Sequence, residues 1–297
     1  MSYSRDVKNE LCRQRLASAS DNLAECYGIL LYCNTFTANE ARIITGNERL
    51  LDRITMLFHE CFDVTFDELR APESGKRSLI INSRAKLSAV FDAFGLSTED
   101  TVSHHINLGV LDDDAGYIAF LRGAFLAGGS VTDPTKSYHL EIITPHRSVS
   151  RETVSLLQEQ GFSPKSTSRN GNYIVYFKQS SAIEDFLTLI GASGSAMELM
   201  SAKIEKDMRN SINRRVNCDT ANVMKAVDAA AAQVTAISQL NLDVLPEKLR
   251  DTARLRIENP ELSLVELAAL FDPPVTKSGL NHRLRKLVEL AETQTMI

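Results

Sequence analysis

The feature that most constrains this chain is a pattern written twice in its first two hundred or so residues. Residues 23–96 and 118–192 follow one order of elements. Each opens on an apolar helical run, LAECYGILLYC at 23–33 and IAFLRGAFLAG at 118–128. A strand follows, ARIITG at 41–46 and LEIITP at 140–145, and then an amphipathic helix, ERLLDRITMLFHECF and RETVSLLQEQGF. Next comes a hairpin, FDVTF with SLIIN and FSPKS with YIVYF. The second hairpin turns at Arg169-Asn170-Gly171-Asn172, and Asn-Gly suits a tight turn because its central residues adopt positive φ. Each half closes on a helix ending in glycine, Gly95 and Gly191. Gly28 matches Gly123 and Phe62 matches Phe162, a spacing of about a hundred residues that exceeds any short solenoid period. The pattern predicts an α+β fold of two pseudo-symmetric αββαββα half-domains, followed by an all-α domain.

The same residues suggest where the halves meet. Ala119, Gly123 and Ala127 fall at i, i+4, i+8 on one helix face, and Ala24 and Gly28 do the same in the first copy. Small side chains let two helix axes approach at or below the usual ~8–10 Å. Relief of crowding in a core is the alternative reading; matched placement in both copies favours a helix pair.

The C-terminal segment reads as a helix-turn-helix. Pro260 stops one helical run, since it lacks an amide donor and restricts its neighbour. Ser263 and Glu266 form an S-x-x-E capping box, and Leu264, Leu267, Ala268 and Phe271 recur at helical spacing. Asp272-Pro273-Pro274 ends that helix, and Thr276 caps the next. There Leu280, Leu284 and Leu287 face the core, leaving Ser278, His282 and Arg285 on the other side, flanked by Asn281 and Lys286. Such a second helix enters the major groove of DNA. Thr276, Lys277, Ser278, Asn281, His282, Arg283, Arg285 and Lys286 are the expected DNA-binding residues. Asn and Arg can contact purine edges bidentately, and Lys neutralises phosphate. A solvated charged hairpin is the plainer alternative. Yet residues 246–297 carry eight basic and eight acidic residues, whereas Thr276–Glu289 carries four basic and one acidic, and a merely soluble helix more often mixes the signs.

A net charge of -5 excludes a generally basic coat for nucleic acid, so any DNA contact must be local. One such place is Lys203–Arg215, where Lys203, Lys206, Arg209, Arg214 and Arg215 stand against Glu205 and Asp207, with Asn210 and Asn213 between them. Two readings stand side by side: a solvated helix, or an additional surface for phosphates. Residues 221–240 form a helical spacer, and Asn241–Pro246 a hinge. The five cysteines show no C-x-x-C spacing and are odd in number, which argues against disulfides and structural zinc and for a reducing cytoplasm. No apolar run reaches the ~20 residues of a membrane helix. The N-terminus lacks a signal-peptide core and reads as a short helix capped by Ser4.

Other chemistry is sparse. Asp112-Asp113-Asp114 could hold a cation, but acids at a helix start are more simply explained by the macrodipole. Asp133, before Pro134, is a turn residue in the commoner reading. The adjacent His104 and His105 point apart and belong to the connector between the halves. Phosphate-binding glycine loops and hydrolase elbows are missing from the sequence.

FLRGAFLAGGS at 120–130 resembles the LAGLIDADG helix of homing endonucleases, and YGILLYCNT at 27–35 looks like its degenerate twin. Such a domain followed by a helix-turn-helix resembles the WhiA family of sporulation and cell-division regulators. RRVNCDTANVMKAVDAA at 214–230 and PPVTKSGLNHRLRKLVELAE at 273–292 fit that family too. In the endonucleases the acid before the motif's final glycine binds the catalytic metal. Alignment places Gly128 and Cys33 there. Magnesium demands oxygen ligands, a thiol is a soft ligand, and the two-metal clamp cannot be assembled in the usual way. The resemblance therefore implies a retained fold, a lost nuclease, no catalytic residues, no metal and no cofactor.

The expected domains are an N-terminal helix over 1–20, a degenerate LAGLIDADG-like domain over 21–200 (repeats about 21–97 and 115–194), a basic helical linker over 201–245 and a helix-turn-helix over 246–297. The expected function is a cytoplasmic, nucleoid-associated, sequence-specific transcription regulator of cell division and sporulation, with chromosome segregation a further process the resemblance suggests. Its expected partners are promoter DNA and a second transcription regulator, with no membrane. The rival readings are an active endonuclease with a displaced metal site, at Asp133 or Asp112–Asp114, and a protein-interaction module that never touches DNA.

Overall fold

The computed structural model describes residues 2–16, 18–70, 76–96 and 104–295. They belong to two compact units, Met1–Asp207 and Met208–Ile297.

The first unit begins with α1 (Tyr3–Leu11), whose Tyr3, Val7 and Leu11 recur every four residues and are buried. Its N-cap is Ser2, not Ser4. The Tyr3 hydroxyl donates to the Ser195 carbonyl at 2.6 Å, so tertiary anchoring draws the helix start back, and Ser4 Oγ instead accepts from Val131 N. The first half then runs α2 (Ala19–Leu31), β1 (Thr35–Phe36), β2 (Ala41–Thr45), α3 (Glu48–Phe62), β3 (Glu68–Arg70), β4 (Arg77–Ile81) and α4 (Arg84–Ala93). The second runs α5 (Asp114–Gly128), β5 (Gly129–Val131), β6 (Leu140–Thr144), α6 (Arg147–Glu159), β7 (Lys165–Arg169), β8 (Asn172–Phe177) and α7 (Ser180–Leu189). Both are αββαββα, as the repeat predicts.

The two antiparallel sheets share one topology, β1-β2-β4-β3 and β5-β6-β8-β7. Matching central pairs, Ile43 opposite Leu79 and Ile142 opposite Val175, show that register repeats along with topology. Two expected strands are displaced, FSPKS at 162–166 only in part, since pairing there begins at Lys165. FDVTF at 62–66 is not extended pairing, because α3 reaches Phe62 and stops on Asp63 in a left-handed conformation (φ 51°). Phe62 and Phe66 instead pack on Phe58, and pairing starts at Glu68.

Helices α2 and α5 form the seam between the halves. A Cβ on Gly28 would lie 2.1 Å from the Phe120 carbonyl oxygen, and one on Gly123 would lie 2.1 Å from that of Glu25. Only glycine permits this backbone approach, so the paired-helix expectation holds. The seam also buries charge. Glu25 accepts from Arg53 Nε (2.5 Å) and Nη2 (2.8 Å) and from Arg122 Nε (2.9 Å). Gln14 accepts from both arginines and donates to the Gly191 carbonyl. The connector touches both halves: the His104 ring bonds the Phe36 carbonyl at 2.8 Å and His105 meets Glu152 at 2.6 Å.

Helix α8 (Ser193–Ile237) starts in the first unit and ends in the second. The Glu10 carboxylate accepts from Gly194 N and Ser195 N at its start, where negative charge complements the macrodipole. No glycine or proline interrupts 195–237, so the expected basic linker and spacer are one helix. The expected hinge contains a 3₁₀ turn, Leu242–Val244, and Arg250 fastens it by donating to the carbonyls of Leu242, Asp243 and Leu245.

The second unit completes itself with α9 (Glu247–Glu258), α10 (Leu264–Ala269) and α11 (Lys277–Thr295). Its core joins Leu249 and Ala253 to Leu267, Leu280, Leu284 and Leu287, and it takes in Ile237 and Leu240 from the end of α8 and just beyond.

Candidate nucleic-acid interface

The turn between α10 and α11 is built from local bonds. Ser263 N donates to Glu266 Oε2 at 2.9 Å and Glu266 N donates back to Ser263 Oγ at 3.3 Å, a reciprocal capping box. These bonds hold the Glu266 carboxyl below its usual pKa, because they favour the ionised form. Val275 N donates to the Ala268 carbonyl at 3.1 Å, closing the turn back onto α10. Thr276 Oγ1 accepts from Gly279 N at 3.1 Å and caps α11.

Packing then orients α11. Leu280, Leu284 and Leu287 are fully buried. Ser278, Asn281, His282 and Arg285, at i, i+3, i+4 and i+7, must therefore share the opposite face, and all four are exposed. Thr276 and Lys277 at the start of that face and Lys286 at its edge are exposed too. Among the described residues no acid lies within ion-pair distance of Lys277, Arg285 or Lys286. Arg283 stands apart. It is partly buried, with its guanidinium 5.6 Å from the Phe271 ring centroid, so it braces the turn by a cation–π contact. Nothing in the spacing of charges signals that contact.

The basic segment divides. Lys203 Nζ meets Glu184 at 3.2 Å and Lys206 lies 5.0 Å from the Tyr138 ring centroid, so both are engaged within the first unit. Arg209, Arg214 and Arg215 are exposed.

The ends of α2 and α5, where the nucleases carry their acids, offer different chemistry. Cys33 is buried and donates through Sγ to the Thr35 carbonyl at 3.0 Å, and burial pushes its thiol up to about 12. A Cβ on Gly128 would fall 2.3 Å from the Ile143 carbonyl oxygen, leaving no room for an acid. Asp133 accepts from Thr135 N at 2.9 Å and Oγ1 at 2.6 Å, which makes it a turn residue. Asp113 caps α5 by accepting from Gly116 N at 2.8 Å. Among the described residues no three His, Cys, Asp or Glu side chains cluster as a metal site, and no helix is long and apolar enough to cross a membrane.

Two family models match the chain, the WhiA LAGLIDADG-like domain over residues 117–209 and the WhiA C-terminal HTH domain over 212–291. A relative from Clostridium novyi (strain NT), named Probable cell division protein WhiA, is 35% identical over 310 aligned positions, 98% of this chain and 98% of that protein. One of the same name from Ruminiclostridium cellulolyticum is 37% identical over 98% of this chain and 97% of its own. The crystal structure of full-length DUF199/WhiA from Thermatoga maritima superposes with a TM-score of 0.60 at 24% identity, covering 99% of each chain, a likeness of fold.

Proposed function

The chain belongs to the WhiA family, and on that premise we propose that it is a sequence-specific, DNA-binding transcription regulator of bacterial cell division and sporulation, without nuclease activity. The observation that carries this reading is the exposed face of α11, on which polar and basic side chains have no acidic partner among the described residues while three leucines fix its orientation. Ser278, Asn281, His282 and Arg285 read base edges, and Thr276, Lys277 and Lys286 hold phosphates. Arg283 sets the angle of the helix from its seat on Phe271. Arg209, Arg214 and Arg215 add phosphate contacts, whereas Lys203 and Lys206 serve the first unit. We take residues 246–297 as the reading unit, with the last turn of α8 as its support. The LAGLIDADG-like domain then supplies further DNA contact or a surface for a second regulator, and the protein acts on the nucleoid.

Cleavage has no support at the helix ends. A glycine that cannot grow a side chain and a thiol committed to a carbonyl replace two carboxylates, and magnesium sites rest on oxygen ligands.

Genome-wide occupancy followed by footprinting supplies the target duplex. In a mobility-shift assay on that duplex, the Arg285→Ala, Lys286→Ala double variant is expected to lose binding, and wild-type affinity should fall by orders of magnitude from ~50 to ~200 mM salt. Unchanged occupancy by the double variant would favour the protein-interaction reading. Plasmid incubated with magnesium should stay intact. Cleavage that disappears on changing Asp133 or Asp112–Asp114 would restore the endonuclease reading.

A further inference from the structure

Within the second unit, α8 runs from Met208 to Ala229 with every residue exposed. A helix that stands alone in water needs strong helix formers and many i,i+4 ion pairs. This stretch has neither. It includes Asn210, Ser211, Asn213, Asn217, Thr220 and Asn222, and among the described residues it makes no ion pair. Instead it carries an apolar stripe. Met208, Ile212, Val216, Val223 and Val227 share one face and are all more than half exposed, from 55% at Val216 to 63% at Val223. Ile212 to Val223 and Val216 to Val227 are each eleven residues apart. That spacing equals about 3.67 residues per turn, close enough to the helical 3.6 to keep the stripe on one side.

The two ends of the stripe differ in shape. At the C-terminal end Val223 and Val227 line a cavity of about 380 Å³ together with Leu262, Leu264 and Val265, and Val265 is itself 60% exposed. At the N-terminal end Met208 and Ile212 project from a bare helix. One end is an apolar groove and the other a pair of apolar knobs, the two halves of helix-in-groove recognition. Charge divides in the same way. Arg209, Arg214 and Arg215 precede Val216, whereas Asp219 and Asp228, with Lys225, follow it. A parallel copy would set the arginines against their own counterparts. An antiparallel copy sets the basic half against the acidic half and the knobs against the groove, so the surface is complementary to itself, as a two-fold interface requires.

We propose that a second copy of this chain covers the stripe, the two α8 helices packing antiparallel about a two-fold axis between Asn217 and Cys218. In that register Met208 enters the groove beside the partner's Val227, and Ile212 lies opposite the partner's Val223. Arg215 comes almost level with the partner's Asp219. Each contact is made twice. A guanidinium carries five N–H donors, so pairing along one edge leaves Arg215 others for phosphate. On the DNA-binding reading, such a dimer carries two α11 helices and suits a target with two half-sites.

The test is sedimentation equilibrium of the full chain without DNA, so that its outcome is independent of the DNA-binding reading. Between about 1 and about 100 µM the mass should rise from that of one 32.9 kDa chain toward twice that value. Ile212→Glu and Val223→Glu place a good helix former at exposed positions, so circular dichroism should stay native. Each should weaken the dimer about a hundredfold or more, because a substitution enters a two-fold interface twice. Arg215→Glu should weaken it about tenfold by opposing like charges, and adding Asp219→Arg should restore it. In a Cys218→Ser background, Met208→Cys with Val227→Cys should give a covalent dimer on oxidation. Met208→Cys alone should not, since antiparallel copies hold the two positions about 28 Å apart along the helix. A folded chain that stays monomeric at about 100 µM, its stripe covered by its own first unit or by a different protein, would overturn the proposal. So would a dimer indifferent to Ile212→Glu, a charge swap that fails to restore association, or cross-linking by Met208→Cys alone.

Discussion

Helices α2 and α5 meet backbone against backbone, whereas α10 and α11 meet through leucines and leave one face of α11 bare. In the first pair glycine appears where a Cβ would strike a carbonyl, and the charge that enters the seam is consumed there, Glu25 by Arg53 and Arg122. In the second pair the buried positions are ordinary aliphatic ones, and the basic positions of α11 other than Arg283 point outward with no acidic partner among the described residues. The first arrangement can hold two half-domains together but has nothing left to present to a ligand. The second has a modest core and spends its polar side chains on whatever lies outside. On the proposed reading one chain separates a scaffold seam from a recognition surface, and substitutions in the two should be felt in different measurements.

The largest expected effect is at the seam. Glu25→Ala leaves the buried Arg53 and the half-buried Arg122 without a counter-charge and should cost about 3–5 kcal/mol in denaturant unfolding. Arg53→Met should cost less, because Arg122 still neutralises Glu25, and equal losses would mean that the network does not act through charge. Gly123→Ala comes next. The new Cβ meets a backbone oxygen that cannot yield, so the helices must separate at about 1–3 kcal/mol or more. Were Gly123→Ala to unfold like the wild type, the close approach would not be what holds the seam. On the recognition side, Arg285→Ala should leave the unfolding curve in place and cost about 1–3 kcal/mol of DNA binding, with relaxed preference at one base pair. A shift in stability instead would make Arg285 a structural residue. The smallest effect is Lys286→Ala, a weakening shared by all sequences, with the salt slope reduced by about 1.

Legibility follows the range of the interaction. The twin order of elements, the small-residue stripes of α2 and α5, the capping box of Ser263 and Glu266 and the buried leucines of α11 were all readable, because each is a pattern confined to one turn, one helix or one repeat. The displaced strand after α3 was not, since FDVTF alternates like a strand until Asp63 terminates a helix in front of it. Ser4 looked like a cap only because the Tyr3 bond to Ser195 is invisible from the N-terminus. Among the site residues, the outward face of α11 could be inferred from the leucine spacing, whereas the diversion of Lys203, Lys206 and Arg283 to Glu184, Tyr138 and Phe271 could not.

By itself the sequence determined periodicity, caps, turn chemistry and the loss of acids at the ends of the twin helices, because those are properties of neighbouring residues and of side-chain identity. Tertiary structure alone decided which charges are spent internally, that Gly128 has no space for a side chain, and that Arg256 and Gln233 share a cavity with apolar walls. Those outcomes depend on what distant segments place within a few ångströms, a range over which hydrogen bonds and steric overlap are decided.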